Sequence, residues 1–552
     1  MKLALTNVAV RPAREPYLAR TRPKRLPPVR PGLARQHLVL LGILLSVSLA
    51  LRIWHIDLAQ VGYDEAAAAS LVAAWKFQGH FPLTGIVSSV GVPNPPAWPY
   101  LLSLGLLASN DPYALVTVGV AFGFLAVVLC WWVGRRWLGP WGGLAATAFY
   151  GTAFWPVLLG RGAWQPVFLQ APILLCLDAL LMLAVARRPW ALVVVCGWLA
   201  LLVQLHYILA ASALLLPLAM WPARRTLRPV HVFSAALAGL LPLLPFLLYE
   251  LHPGVRFRDV GALLGLSSGA AQVDLSTLRL LADVTSTGGA AGLGSPNATG
   301  LREALGRWTT LTMLGPLLVA GGIASAALWW PRGWLGWLLA AWTLLPVVLL
   351  ARHPAGLTSG MWFHYLWLDF PGFALAVGAL AASAAASRYF TLRAGVASAL
   401  VVYIAISVAS LGTLLTYVDR ADTHSGYGVP LRYSRAAGHT ARALVGPGGQ
   451  VLIGDEPRKA EILRFMLGYD APSSTFEDCR EVPYVAQGVY LLMSEHTPGA
   501  AALAETGAPL LARIERPGDA YRVYGPMPSK TDLKALDQRP EHNSPVCRER
   551  QG

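Results

Sequence analysis

The sequence predicts an all-α polytopic membrane protein of about eleven transmembrane helices, with a small α/β domain outside the membrane at its C-terminal end. Three observations lead there. Of 552 residues, 55% are hydrophobic and 13% charged, where a soluble domain carries about 45–50% and about 25%. The apolar residues gather into runs of the roughly 20 residues that a bilayer crossing needs. Between those runs stand short arginine clusters, the mark of cytoplasmic loops.

The elements follow in chain order. Residues 1–36 carry nine Lys or Arg against one acid, Glu15, and are proline-rich, which predicts a disordered basic tail in the cytoplasm. The first apolar run is long, and no small-residue cleavage site follows it, so it reads as a span rather than a removable leader. Arginine clusters then occur at Arg135–Arg136, Arg187–Arg188, Arg224–Arg225 with Arg228, Arg332, and Arg388 with Arg393. Threading between them gives spans at 37–56, 113–134, 140–159, 165–186, 190–206, 207–222, 231–250, 308–330, 333–351, 365–386 and 394–416. That count is odd, so with a cytoplasmic N-terminus the chain from Tyr417 onward lies outside the cell (inner or plasma) membrane. The net charge of +15 is taken up by the tail and these loops, which argues against a nucleic-acid partner.

Three segments are expected outside. The first, 57–112, holds a helix over 64–77, a Pro-rich turn "GVPNPP" (91–96) and "AWPYLLSLGLLAS" (97–109). That last run is too short to span and reads as an interfacial helix. The second, 251–306, is Gly/Ser-rich with an amphipathic piece, "VDLSTLRLLADV" (273–284). The third is the α/β domain over 418–526, followed by a loose tail, 527–552. In it "QVLIGD" (450–455) reads as a strand, "PRKAEILRFMLGY" (457–469) as a helix, and "VYLLMSEH", "LLARIER" and "AYRVYGP" as further strands. Cys130, Cys176 and Cys196 lie in apolar runs, with only Cys479 and Cys547 in polar sequence. There is neither a disulfide framework nor a metal-type spacing.

The stretch "GYDEAAAAS" (62–70) places two acids, Asp64 and Glu65, just past the first span. Such a pair serves readily as a helix cap, Asp64 at the N-cap and Glu65 in the first turn. Its company suggests more. Arg161, His206, Tyr207, Arg352, His364 and Tyr365 all fall at outer ends of spans. Cations and aromatics opposite carboxylates suit a phosphate-bearing lipid, with a carboxylate as general base. Each residue has a plainer reading beside that one. The arginines can snorkel to headgroups, and His206–Tyr207 can be an interfacial belt pair. No GxxxxGK[ST] loop occurs, nor a GxGxxG after a strand.

The order of these features resembles the C-type glycosyltransferases that use polyprenyl-phosphate sugars. The nearest groups are the bacterial relatives of the protein O-mannosyltransferases and lipid A aminoarabinose transferases, over roughly residues 37–420. The resemblance implies the C-type fold, embedded among membrane lipids. It implies transfer of a sugar from a polyprenyl-phosphate donor to a hydroxyl of a lipid, glycan or protein on the extracytoplasmic face, with inversion. It makes Asp64 the catalytic base with Glu65 its neighbour, and Arg161, Arg352 and His364 candidates for holding the phosphate, with His206, Tyr207 and Tyr365 as further substrate contacts. The chain departs from the family pattern at three places. "PNPPAWPY" (93–100) lacks the lysine of the family's turn. "RGAWQPVF" (161–168) has Gln165 where an Asp is common, which leaves a divalent metal open and no cofactor assigned. "HYLWLDFPGFAL" (364–375) has Asp369 in place of an apolar residue. Among rivals, an O-antigen ligase or polymerase leaves the acid pair unexplained, and a transporter is expected to show two similar halves. A non-catalytic scaffold follows if the departures have removed activity.

Overall fold

A computed structural model describes residues 34–88, 92–252 and, with interruptions, 276–532; the interruptions include 294–298, 352–363, 477–483 and 501–507. The basic tail, the bulk of the second loop, Arg352 and the last twenty residues lie outside the described residues. Among the described residues, five helices are long and apolar enough to cross a membrane: Arg35–Ile53, Pro112–Leu138, Gln165–Ala184, Pro229–Glu250 and Phe390–Arg420. The other six expected spans fall on shorter apolar pieces, within 140–159, 191–205, 207–223, 314–328, 334–349 and 370–386.

In chain order the first ten helices are α1 (Arg35–Ile53), α2 (Tyr63–Gln78), α3 (Ala97–Leu106), α4 (Pro112–Leu138), α5 (Pro140–Thr152), α6 (Phe154–Leu159), α7 (Gln165–Ala184), α8 (Ala191–Leu205), α9 (Leu215–Ala223) and α10 (Pro229–Glu250). Helix α7 is the packed centre, buried along nearly its whole length, whereas α10 buries one residue, Ala235. A polar cost in the centre is met locally. Buried Asp178 of α7 accepts from Arg136 at 3.0 Å and from the Trp137 indole N–H at 2.6 Å.

The span at 140–159 is broken between α5 and α6, and a buried arginine mends the break. Arg52 of α1 donates to the carbonyls of Ser48 and Gly151 at 3.0 Å and of Pro156 at 3.4 Å. A carbonyl freed at a helix end must be satisfied when water is excluded, and the Arg52 guanidinium meets that of Gly151 at the end of α5 while also reaching Ser48 and Pro156.

Helix α2 forms because its first turns are a run of alanines, the best helix formers. It stops at Gly79, whose φ of 74° is the left-handed cap that glycine adopts without strain. Lys76 ties its far end to α3, donating to the Leu106 carbonyl at 2.9 Å and Asn110 at 2.7 Å.

The C-terminal domain is a five-stranded sheet in the order β2-β1-β4-β6-β5. Its strands are β1 (Val451–Gly454), β2 (Ser473–Phe476), β4 (Tyr490–Ser494), β5 (Leu510–Arg516) and β6 (Asp519–Tyr524); β3 (Tyr484–Val485) and β7 (Thr531–Asp532) pair separately. β1 is parallel to β2 and β4, and the β4–β6–β5 side is antiparallel. All five expected elements are strands or a helix where the pattern put them, but β2 had no sequence signal of its own. Helices Leu431–Val445 and Pro457–Leu467 cover the sheet, and the second also packs on α2. The domain's entry is pinned to the loop after α1. Tyr427 donates its hydroxyl to the Leu58 carbonyl at 2.7 Å, and the Leu431 N–H reaches Ala59 at 2.9 Å.

Candidate active site

The acid pair opens α2, and the structure divides its labour. Gly62, not Asp64, is the N-cap residue. The capping bond comes from Glu65, whose carboxyl accepts the Gly62 N–H at 3.0 Å. Glu65 is buried. Burial, with the Asp64 charge next to it, pushes its pKa up to about 8. The expectation of Asp64 as the cap is corrected by this bond: the N-cap glycine has no side chain to cap with, so the acid three residues on reaches back instead.

Asp64 is exposed and free of capping duty. Crowding protein raises its pKa, against which the Trp164 indole bond and the charge of Arg458 hold the ionised form. Trp164 and Arg458 escaped the sequence reading. Trp164 precedes the Gln-Pro start of α7, a signal for a helix entry but not for a partner. Arg458 is 394 positions from Asp64 (458 − 64), a separation that no local pattern bridges.

The loop carrying Trp164 is held by close backbone contact. A side chain on Gly119 of α4 would put its Cβ 1.9 Å from the Gly162 carbonyl oxygen, so only glycine lets α4 approach. Next to Trp164, Gln165 donates to the Leu205 carbonyl. One loop therefore connects Asp64 to the end of α8, where two more expected residues sit. The His206 ring meets Tyr365 edge-on at 5.5 Å between centroids. The Tyr207 hydroxyl donates to the Pro93 carbonyl at 2.6 Å, binding the proline-rich turn to this end of the bundle. His364 begins the short helix His364–Trp367; its side chain and all of Arg352 lie outside the described residues.

Arg161 is placed differently from the expectation. It is buried, and its guanidinium donates to the carbonyls of Leu51 at 3.1 Å, His55 at 2.5 Å and Trp54. These are the last carbonyls of α1 and the residues after it. A cation at a helix C-terminus answers both the orphan acceptors and the dipole, so Arg161 holds the first span's end in place.

Beside Tyr365 an apolar cavity lies between α7, the 3-10 helix Tyr207–Leu214, helix Trp334–Ala351 and the residues leading into Phe370–Ala386, lined by Ile173, Ser212, Trp342 and Leu345 among others, with Asp369 in its wall. Asp369 is buried and its Oδ2 has no hydrogen-bond partner among the described residues. As for a metal, no three His, Cys, Asp or Glu side chains gather among the described residues. Asp64 has one neighbouring carboxyl, Glu65, which is taken up as the cap of α2, so no donor set for a divalent ion is assembled among the described residues and no step is derived through one.

The backbone can be compared with solved structures. ArnT from Cupriavidus metallidurans bound to undecaprenyl phosphate overlays with a TM-score of 0.56 at 16% identity, covering 89% of this chain and 97% of that one. The apo form of the same protein gives 0.56 at 15% identity, over 88% and 97%. The chain has the C-type glycosyltransferase fold. The archaeal oligosaccharyltransferase AglB from Archaeoglobus fulgidus, in complex with an inhibitory peptide and a dolichol-phosphate, overlaps at 0.45 and 12% identity over 91% and 77%, too loosely to add to the argument. No protein-family model matches the chain, and comparison with curated protein sequences finds no relative.

Proposed function

We propose that the protein is a membrane glycosyltransferase that moves a sugar from a polyprenyl-phosphate donor to an acceptor hydroxyl on the extracytoplasmic face. The observation that carries this reading is the overlap with ArnT along nearly the whole of both chains, since that structure holds undecaprenyl phosphate. Asp64 supports it: an exposed carboxylate relieved of capping by Glu65, raised in pKa by crowding and so a better proton acceptor than a free aspartate.

In the mechanism the acceptor hydroxyl attacks the anomeric carbon and passes its proton to Asp64. The bond from that carbon to the phosphate oxygen breaks, and the lipid phosphate leaves with the electron pair. One displacement inverts the anomeric centre. Arg352 and His364 are proposed to stabilise the departing phosphate, because charge stabilisation by groups already in position is usually the largest catalytic contribution. His206, Tyr207 and Tyr365 flank the approach. Arg161 has no part in it, being committed to backbone. The acceptor is a lipid, glycan or protein hydroxyl.

The test is direct. Purified protein is incubated with a panel of radiolabelled polyprenyl-phosphate sugars and membrane extract. Label passing from donor to acceptor with native protein, and not with Asp64→Asn, is the expected result. Label that never leaves any donor refutes the assignment.

A further inference from the structure

Of the places where chemistry-bearing side chains stand outside the described site, the surface between α2 and the C-terminal helix Pro457–Leu467 carries the argument furthest. Arg458 is the second residue of that helix, and its guanidinium lies over the Tyr63 ring at 5.8 Å. Tyr63 is the residue immediately before Asp64. A side chain from a domain nearly four hundred residues away is thus set at the lip of the acid pair.

Its seat is rigid. Tyr469, just beyond the same helix, donates its hydroxyl to the Ala66 carbonyl of α2 at 2.7 Å. Phe465 of the same helix lines a small pocket together with Ala69 and Val72 of α2. The Tyr469–Ala66 hydrogen bond and the packing of the two helices hold Arg458 beside Tyr63. A cation held in advance loses little freedom when it meets an anion.

Elimination points the same way. Several neighbouring cations among the described residues are already committed. Arg161 holds α1 carbonyls, and Lys76 holds Leu106 and Asn110. Arg432 pairs with Asp419 and Asp57, Arg435 with Asp111, Arg442 with Asp470 and Arg464 with Glu461. Arg458 is exposed, and among the described residues no carboxylate forms an ion pair with it. Its planar fork of donors suits a phosphate.

We infer that Arg458 is a contact for the phosphate of the lipid-linked donor, so that the C-terminal domain completes the site rather than merely capping the bundle. This rests on the polyprenyl-phosphate reading above. Arg458 then does two things at one place: it draws the lipid phosphate to the acid pair and balances the negative charge gathered there.

The experiment is a binding titration of undecaprenyl phosphate to the full-length protein in nanodiscs of phosphatidylcholine, for native protein, Arg458→Ala, Arg458→Lys and Tyr63→Leu. Arg458→Ala is expected to weaken binding roughly 10- to 100-fold, the worth of a hydrogen bond to a charged group. Arg458→Lys keeps most of the affinity, and Tyr63→Leu, which removes the ring but leaves the charge, loses less than Arg458→Ala. Salt weakens native binding more steeply than that of Arg458→Ala. Competition by phosphatidylglycerol and by inorganic phosphate separates a general anionic-headgroup site or a free-anion site from one for the polyprenyl lipid; displacement by either at equal concentration overturns the assignment. Equal affinity of native and Arg458→Ala protein overturns it too. Native protein that binds no undecaprenyl phosphate strikes the proposed function itself.

Discussion

Asp64 and Asp369 both stand within two residues of a helix start, yet their surroundings give them opposite chemistry. Asp64 opens α2 at the surface, with an indole donor and an arginine beside it. Asp369 precedes Phe370–Ala386 and is buried in the wall of an apolar cavity, one oxygen without a hydrogen-bond partner among the described residues. An acid at a helix start is the same signal in both cases. What a carboxyl can do is set by which groups the fold brings to it: a partnered, wetted one can take up and release a proton, while a dry, orphaned one mainly costs stability.

The largest expected effect breaks or sustains that contrast at Asp64. Asp64→Asn should reduce sugar transfer by a factor of about 10²–10⁴, the usual worth of a general base, with an unchanged thermal melt because Asp64 makes no cap bond. Full transfer by this variant would leave Asp64 a surface residue. Next comes Arg161, which shares the expected site only in sequence. Arg161→Ala leaves three α1-end carbonyls unpaired, each worth about 1–3 kcal/mol when buried. Its melt should fall well below that of the wild type, and a variant that melted normally but lost donor binding would restore it to the site.

At Asp369 the sign reverses. Asp369→Leu removes an unpartnered buried oxygen and should leave the melt unchanged or raise it by up to about 1–3 kcal/mol of stability. A variant that melts normally yet transfers no sugar would make the cavity part of the site. Smaller still is Tyr469→Phe, which deletes one hydrogen bond to α2 and should cost about 1 kcal/mol, read as a loosening of the C-terminal domain in hydrogen exchange.

The gentlest test concerns Glu65 and pH. Its folded pKa, about 8, lies above the ordinary 4.5, so the fold favours the protonated acid. Its contribution is complete below about pH 4.5 and is lost as pH rises through about 8. The melt of native protein should therefore fall between pH 6 and pH 9, and that of Glu65→Gln should fall less. Equal slopes would mean Glu65 stays ionised in its cap.

Much of this molecule was legible in one dimension. Apolar runs and arginine clusters located the spans, because a bilayer demands about 20 apolar residues per crossing and every peptide group bonded within its own segment. The Ala-rich start of α2 was equally plain, since helix propensity is a local property. The division of roles within the site was not. Glu65 rather than Asp64 became the cap, because the helix boundary fell at Gly62, two residues ahead of the pair, and boundaries depend on one hydrogen bond. Arg161 looked like a substrate ligand until α1 ended within reach of it. Arg458 and Tyr469 acquired meaning only when a domain some four hundred residues away settled on α2. Hydrophobic pattern and charge bias act along the chain and can be read from it; a carboxylate's partner is a contact in space, which only packing decides.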